Sequence, residues 1–251
     1  MRRTIIAGNW KMNNDIKETK DLISKLLDGI NNISLNCEVV ICPPFTSLSE
    51  AAQMIKQSNI KLGAQNLHQE ESGAFTGEVS AKMLLGVGCE YVIIGHSERR
   101  TLFGETDELI NKKIKRALSN NLKPIFCVGE LLEEREKNIT NQVVEKQLID
   151  GLKDLSSEQL KNLVIAYEPV WAIGTGKTAT PTQAEEVHVF IRQIIAEKFS
   201  SMLAENLSIL YGGSVKPENS GELLSQENID GALVGGACLN ADSFLKIIMS
   251  A

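Results

Sequence analysis

The chain has 251 residues, 43% of them hydrophobic and 23% charged, with a formal net charge of −6. That composition is ordinary for a globular protein and excludes disordered, collagenous and coiled-coil chains. No apolar run approaches the ~18 residues of a membrane span, and the negative balance argues against a nucleic-acid or anionic-membrane surface.

In chain order, the first apolar run is residues 4–8. It follows Arg2-Arg3, but the Ile5-Ile6 pair is far too short for the apolar core of a signal peptide, so a cytoplasmic chain is expected. Ile23, Leu26, Leu27 and Ile30 then fall on one helical stripe. Strand-like runs follow at 37–42 and 60–64, and a long loop at 65–79 has no periodicity of its own. Loops of that length usually have a task. The next run is 91–94, and Ile110, Ile114, Ala117 and Leu118 form a second helical stripe. Runs at 124–128 and 163–167 precede Thr180-Pro181, an N-cap followed by proline at the first helical position. Val187, Phe190, Ile191, Ile194 and Ile195 continue that helix, and runs at 208–211 and 231–234 close the series.

Short strands that are apolar on successive positions are buried on both faces, as in a parallel sheet. About eight strand–helix units in this length fit a closed (β/α)8 barrel, an α/β fold, with an open doubly wound sheet as the alternative. No linker or change of composition divides the chain, so residues 1–251 are expected to form one barrel domain.

In a barrel the active site is built where strands end. Those places hold Asn9-Trp10-Lys11, Gly95-His96-Ser97-Glu98-Arg99, Glu168-Pro169, Gly212-Gly213-Ser214 and Gly235-Gly236. An amine, an imidazole and two carboxylates would therefore converge on one face with two glycine pairs. Glycine lets backbone N–H groups approach an anion, and a following helix adds its positive end. Neutral donors of this kind suit an acidic protein, with Lys11 as the one mobile charge. Glu168 in a dry site is a strong base, and His96 and Lys11 can stabilise negative charge on an oxygen. Residues 169–177 read as a lid, with an apolar Val170-Trp171-Ala172-Ile173 tip and glycines at 174 and 176.

Other patterns carry no site. Gly174-Thr175-Gly176-Lys177-Thr178 resembles the end of a P-loop, but Trp171 stands where that motif needs glycine. The three histidines (His68, His96, His188) have no ligand spacing, so no catalytic metal is expected. His188 reads as structural or exposed, and His68 as a surface residue. The five cysteines contain no CxxC pair and read mainly as small buried hydrophobes.

Four stretches carry a family resemblance: Asn9-Trp10-Lys11-Met12-Asn13, Gly95-His96-Ser97-Glu98-Arg99-Arg100, the run from Tyr167 to Lys177, and Tyr211-Gly212-Gly213-Ser214-Val215. In this order they resemble the triosephosphate isomerase family, from residue 4 to about 248. That family is a standard example of a tuned acid–base pair, a closing lid and this barrel. The resemblance implies interconversion of dihydroxyacetone phosphate and glyceraldehyde 3-phosphate, without cofactor or metal. It implies Glu168 as base, His96 as electrophile, Asn9 and Lys11 as substrate ligands, and Glu98 as a second carboxylate near Lys11. Gly174, Ser214, Gly235 and Gly236 would hold the phosphate. It also implies a homodimer in which loop 65–79, carrying Phe75, docks near the partner's Lys11. Cys238 departs from the family's usual small hydroxyl or alanine but leaves the glycine pair intact. The alternative is a non-catalytic sugar-phosphate-binding barrel, which would use the glycines and Lys11 but has no need of Glu168 with His96.

Overall fold

The computed structural model describes residues 2–31, 33–173 and 178–251. Eight parallel strands pair in chain order and close on themselves. They are β1 (Ile5–Asn9), β2 (Glu38–Cys42), β3 (Lys61–Ala64), β4 (Tyr91–Ile94), β5 (Lys123–Val128), β6 (Val164–Tyr167), β7 (Ser208–Tyr211) and β8 (Gly231–Val234). Every expected strand is present, with ends displaced by no more than one residue. The open-sheet alternative is excluded by the seam, where Ile5 to Gly8 of β1 pair with Gly231 to Val234 of β8. A glycine makes that seam possible. Gly231 has φ of +135°, and a Cβ there would lie 1.9 Å from the Ile5 carbonyl oxygen.

The helices of the described residues are α1 (Ile16–Ile30), α2 (Leu48–Ile55), α3 (Ala81–Gly86), α4 (Ser97–Phe103), α5 (Asp107–Ser119), α6 (Leu132–Glu136), α7 (Thr140–Gly151), α8 (Pro181–Lys198), α9 (Ser201–Asn206), α10 (Ser220–Leu224) and α11 (Ala241–Met249). Their starts follow local chemistry. Asp15 and Glu18 form a reciprocal capping box on α1, with both bonds at 2.9 Å. Thr180 caps α8 with Pro181 behind it, as its sequence signals. Among the described residues no helix is long and apolar enough to cross a membrane.

Period-two alternation splits the strand side chains between two layers. Ile5, Ala7, Val40, Tyr91, Ile93, Ile125, Val164 and Leu210 fill the inside of the ring. Ile6, Val39, Ile41, Val92, Phe126, Ile165 and Ile209 face outward and pack under the helices, where Leu22, Ile23 and Leu26 of α1 and Ile191 and Ile195 of α8 join them. Each fully buried Leu or Ile stabilises the fold by roughly 1.5–3 kcal/mol. That holds the strand ends as a fixed platform for polar groups.

Four of the five cysteines are buried and Cys37 is partly so. His188 is fully buried rather than exposed. Its Nδ1 lies 3.2 Å from the Asn228 carbonyl, and its ring sits between Tyr167 and Tyr211.

Candidate active site

The strand ends enclose a cavity of about 550 Å³ lined by Asn9, Lys11, His96, Glu168, Ile173, Gly212, Gly213, Ser214, Gly235 and Gly236. The residues singled out at five separate strand ends thus meet at one opening, apart from two. Glu98 stands one layer back, on Lys11. Gly174 lies outside the described residues, with 175–177.

Glu168 follows β6 and is almost wholly buried. Its backbone N–H donates to the Val128 carbonyl at 2.7 Å, which extends the β5–β6 ladder one step and fixes the residue's direction. Its Oε2 accepts the Ser97 N–H at 2.8 Å. Its Oε1 lies 3.0 Å from His96 Nε2 without an aligned hydrogen bond, and accepts none among the described residues. A buried carboxylate oxygen with free lone pairs is well suited to receive a proton.

His96 caps α4 and accepts the Glu98 N–H on its Nδ1 at 3.2 Å. A neutral ring so held carries its proton on Nε2, the nitrogen beside Glu168. Burial alone would push the Glu168 carboxyl up, but His96, the Ser97 N–H and Lys11 outweigh it and hold it below the usual carboxylate range. Burial pushes His96 down, while the Glu168 charge pulls it above the usual imidazole value. A second ring proton would have to displace the Glu98 N–H from Nδ1, so the capping geometry opposes that pull.

Lys11 is placed by strained backbone. Its φ is +53°, in the left-handed region that side chains other than glycine rarely adopt. Three bonds over-determine it: its N–H donates to Asn9 Oδ1 (3.0 Å), its carbonyl accepts Gln65 Nε2 (2.7 Å), and its Nζ meets Glu98 Oε1 (2.5 Å). Gln65 Nε2 also reaches the Cys42 carbonyl at the end of β2. Glu98 therefore orients the ammonium, and Asn9 shapes the turn that carries it.

The glycines fit by elimination. A Cβ on Gly212 would lie 2.9 Å from Glu168 Cγ, and one on Gly213 would lie 2.3 Å from the Tyr211 hydroxyl. A Cβ on Gly235 would come to 3.6 Å from Lys11 Cε, in ordinary contact, whereas one on Gly236 would meet nothing within 4 Å. The expected helix ends are weaker than the sequence suggests. Gly236–Leu239 is a single 3-10 turn, and the first helix after Ser214 is α10 at Ser220. Backbone N–H groups, rather than a long helix dipole, are the donors on offer.

One buried acidic residue escaped the sequence reading. Glu130, two residues past β5, is fully buried and accepts the Tyr167 hydroxyl (3.1 Å) and Trp171 Nε1 (2.9 Å). Its carbonyl accepts the Val170 N–H at 3.1 Å, and Arg135 lies 3.6 Å from its carboxylate. Trp171 is thus anchored through its ring nitrogen, in a 3-10 turn with Ala172 buried, rather than being part of a bare apolar tip. The signal was positional: Gly129-Glu130 follows a strand end just as the recognised groups do.

Comparison with known proteins agrees with this geometry. A model of the triosephosphate isomerase family matches residues 4–251. The chain belongs to the triosephosphate isomerase family. Relatives named triosephosphate isomerase include one from Chloroherpeton thalassium, 55% identical over the full length of both chains. Others come from Endomicrobium trichonymphae and Carboxydothermus hydrogenoformans, each 55% identical over 99% of this chain and 98% of the relative.

Proposed function

We propose that this isomerase interconverts dihydroxyacetone phosphate and D-glyceraldehyde 3-phosphate by proton abstraction through an enediol. The observation that carries the assignment of roles is the buried Glu168–His96 pair on the wall of a cavity that also holds Lys11 and two glycine pairs. A phosphate-binding sensor would need the glycines and the lysine, and a carboxylate buried beside an imidazole would only burden it.

In this reading the Glu168 carboxylate takes a proton from the carbon beside the carbonyl. The C–H electron pair becomes the new C=C bond, and the carbonyl pair moves onto oxygen. His96 Nε2–H donates to that oxygen and the Lys11 ammonium stabilises its charge, with Asn9 as a further substrate ligand. Glu168 then returns the proton to the neighbouring carbon, while the hydroxyl proton passes between the two oxygens by way of His96. Placed donors contribute ~3–4 kcal/mol each and a positioned base ~10²–10⁴ in rate. Ser214, Gly235 and Gly236 hold the phosphate in this proposal, joined by Gly174 on its sequence position alone.

The partner is a second copy of the chain. Beside Lys11 and Glu98 a second cavity of about 250 Å³ is rimmed by Met12, Phe45 and Phe103, all exposed apolar side chains. Phe75, on loop 65–79, is also exposed and stacks on His68 at 4.4 Å. A homodimer in which this loop fills the partner's cavity would cover both surfaces and enclose Lys11.

Solvent deuterium exchange into dihydroxyacetone phosphate tests the chemistry directly. Purified protein should incorporate one deuterium at the hydroxymethyl carbon, and Glu168→Gln should abolish it. Binding of the substrate with no exchange by the parent protein would leave the sensor reading in its place.

A further inference from the structure

The backbone under Glu168 is itself held from outside the barrel. Gly129 directly follows β5, and a Cβ there would lie 1.7 Å from the Glu168 carbonyl oxygen and 2.6 Å from its carbonyl carbon. Among the described glycines, no other Cβ position falls so close to the main chain of Glu168. The next residue, Glu130, holds Tyr167, Val170 and Trp171, the residues on either side of Glu168. Whatever fixes residues 129–130 therefore fixes the base and the stem of the loop after it.

That fixing comes from one side chain on α7. Gln147 accepts the Gly129 N–H on Oε1 at 2.7 Å and donates from Nε2 to the Gly129 carbonyl at 3.1 Å. Both polar ends of the amide are satisfied by both polar groups of a single residue, so the contact sets position and orientation together. The helix bearing it is seated tightly. Val144, Leu148 and Gly151 of α7 are buried, and a Cβ on Gly151 would fall 2.4 Å from the Phe126 ring of β5. Positions 144, 147, 148 and 151 form one inward stripe. Gln147 is its polar member, on a face where an apolar residue would serve packing alone.

We propose that Gln147 is a positioning residue for catalysis, holding the Gly129 peptide so that Glu168 meets the substrate carbon in line. It touches no reacting atom and acts only through the backbone. The proposal rests on the assignment of Glu168 as the base.

The test is Gln147→Met, which keeps the volume and removes both bonds. The expected result is a loss in kcat of roughly ten- to a hundred-fold, the scale of a sub-ångström to 1 Å misplacement of a reacting group. KM and the inhibition constant of inorganic phosphate should stay within twofold, because three of the four proposed phosphate-holding residues, Ser214, Gly235 and Gly236, follow β7 and β8, away from the segment that Gln147 holds. A kcat within twofold of the parent overturns the proposal. So does a fall in activity shared by KM and the phosphate constant, which is the mark of a merely structural side chain.

Gln147→Glu gives an independent reading if the Met variant does not fold. A protonated carboxyl can accept from the N–H and donate to the carbonyl as the amide does, whereas a carboxylate loses the donor. A glutamate at this half-buried position is ionised between pH 6 and 8, so the variant keeps the volume and the acceptor but loses the donor to the Gly129 carbonyl; its kcat should fall with KM little changed, and a kcat within twofold of the parent overturns the proposal. The underlying assignment is judged separately. Full turnover by Glu168→Gln would sink the base itself, whereas loss in Glu168→Gln with none in Gln147→Met would sink only the role of Gln147.

Discussion

One methylene separates glutamate from aspartate at position 168, and with the charge unchanged that length alone should set the rate. The residue's main chain is fixed by the Val128 carbonyl and by Gly129 beneath it, so a shorter side chain cannot follow the substrate. Glu168→Asp draws the carboxylate back by about 1 Å and should slow kcat ~10²-fold with KM little changed, as read in a coupled assay. At Lys11 the same reasoning separates activity from stability. Its pair with Glu98 is partly open to water, with side-chain exposures of 28% and 42%, so its loss should cost only about 0–1 kcal/mol. In the proposed mechanism its charge faces a developing oxyanion, where its removal costs far more. Lys11→Met should lower kcat/KM by ~10²–10³ while the thermal midpoint moves by a few degrees at most. A melting shift large enough to account for the lost activity would make the lysine structural.

At the scale of elements, His188 ties α8 to the ends of β6 and β7. Burial, reinforced by nearby Arg192 and only partly offset by the Asn228 carbonyl, pushes this imidazole down to about 3. Its other neighbours are the rings of Tyr167 on β6 and Tyr211 on β7. The unfolded chain takes up a proton near pH 6.5, whereas the folded chain does so only near 3. His188 therefore costs nothing at neutral pH and destabilises progressively as pH falls through that window, by about 1.4 kcal/mol per unit. His188→Asn keeps a donor for the Asn228 carbonyl and does not titrate. It should be less stable than the parent at pH 7 by ~1–3 kcal/mol for lost packing, with the gap narrowing or reversing by pH 4 in urea unfolding. A gap that stays constant would show that His188 titrates alike in the folded and unfolded chain. The strands and the α8 start were legible because period, β-branched runs and a Thr-Pro cap are local signals. So were the catalytic candidates, since strand-end polar residues stand out against apolar runs. Glu130 and Gln147 were not, because one works by accepting from Tyr167 and Trp171 and the other by pairing with Gly129 eighteen residues away. Pairings of that kind exist only once β5, β6 and α7 are packed. The left-handed turn at Lys11 was hidden too, since lysine gives no local hint of positive φ.

On the scale of the whole molecule, the exposed Met12, Phe45, Phe75 and Phe103 bear on assembly. If loop 65–79 fills a partner's cavity, Phe75→Glu should place a charge in that contact and shift the sedimenting species from dimer toward monomer. Activity should fall with it as protein is diluted, because Lys11 loses its cover. A variant that sediments like the parent would remove this loop from the interface. The same outlook applies to the eight-membered ring. With β1 bonded to β8, each strand has a hydrogen-bonding neighbour on both sides. The native state thus presents no free rim of main-chain donors and acceptors onto which another chain could add a strand. Fibrillar association must wait for the ring to part at one of its strand pairings, so the propensity to aggregate should follow the rate at which the ring opens rather than any sticky segment on the folded surface.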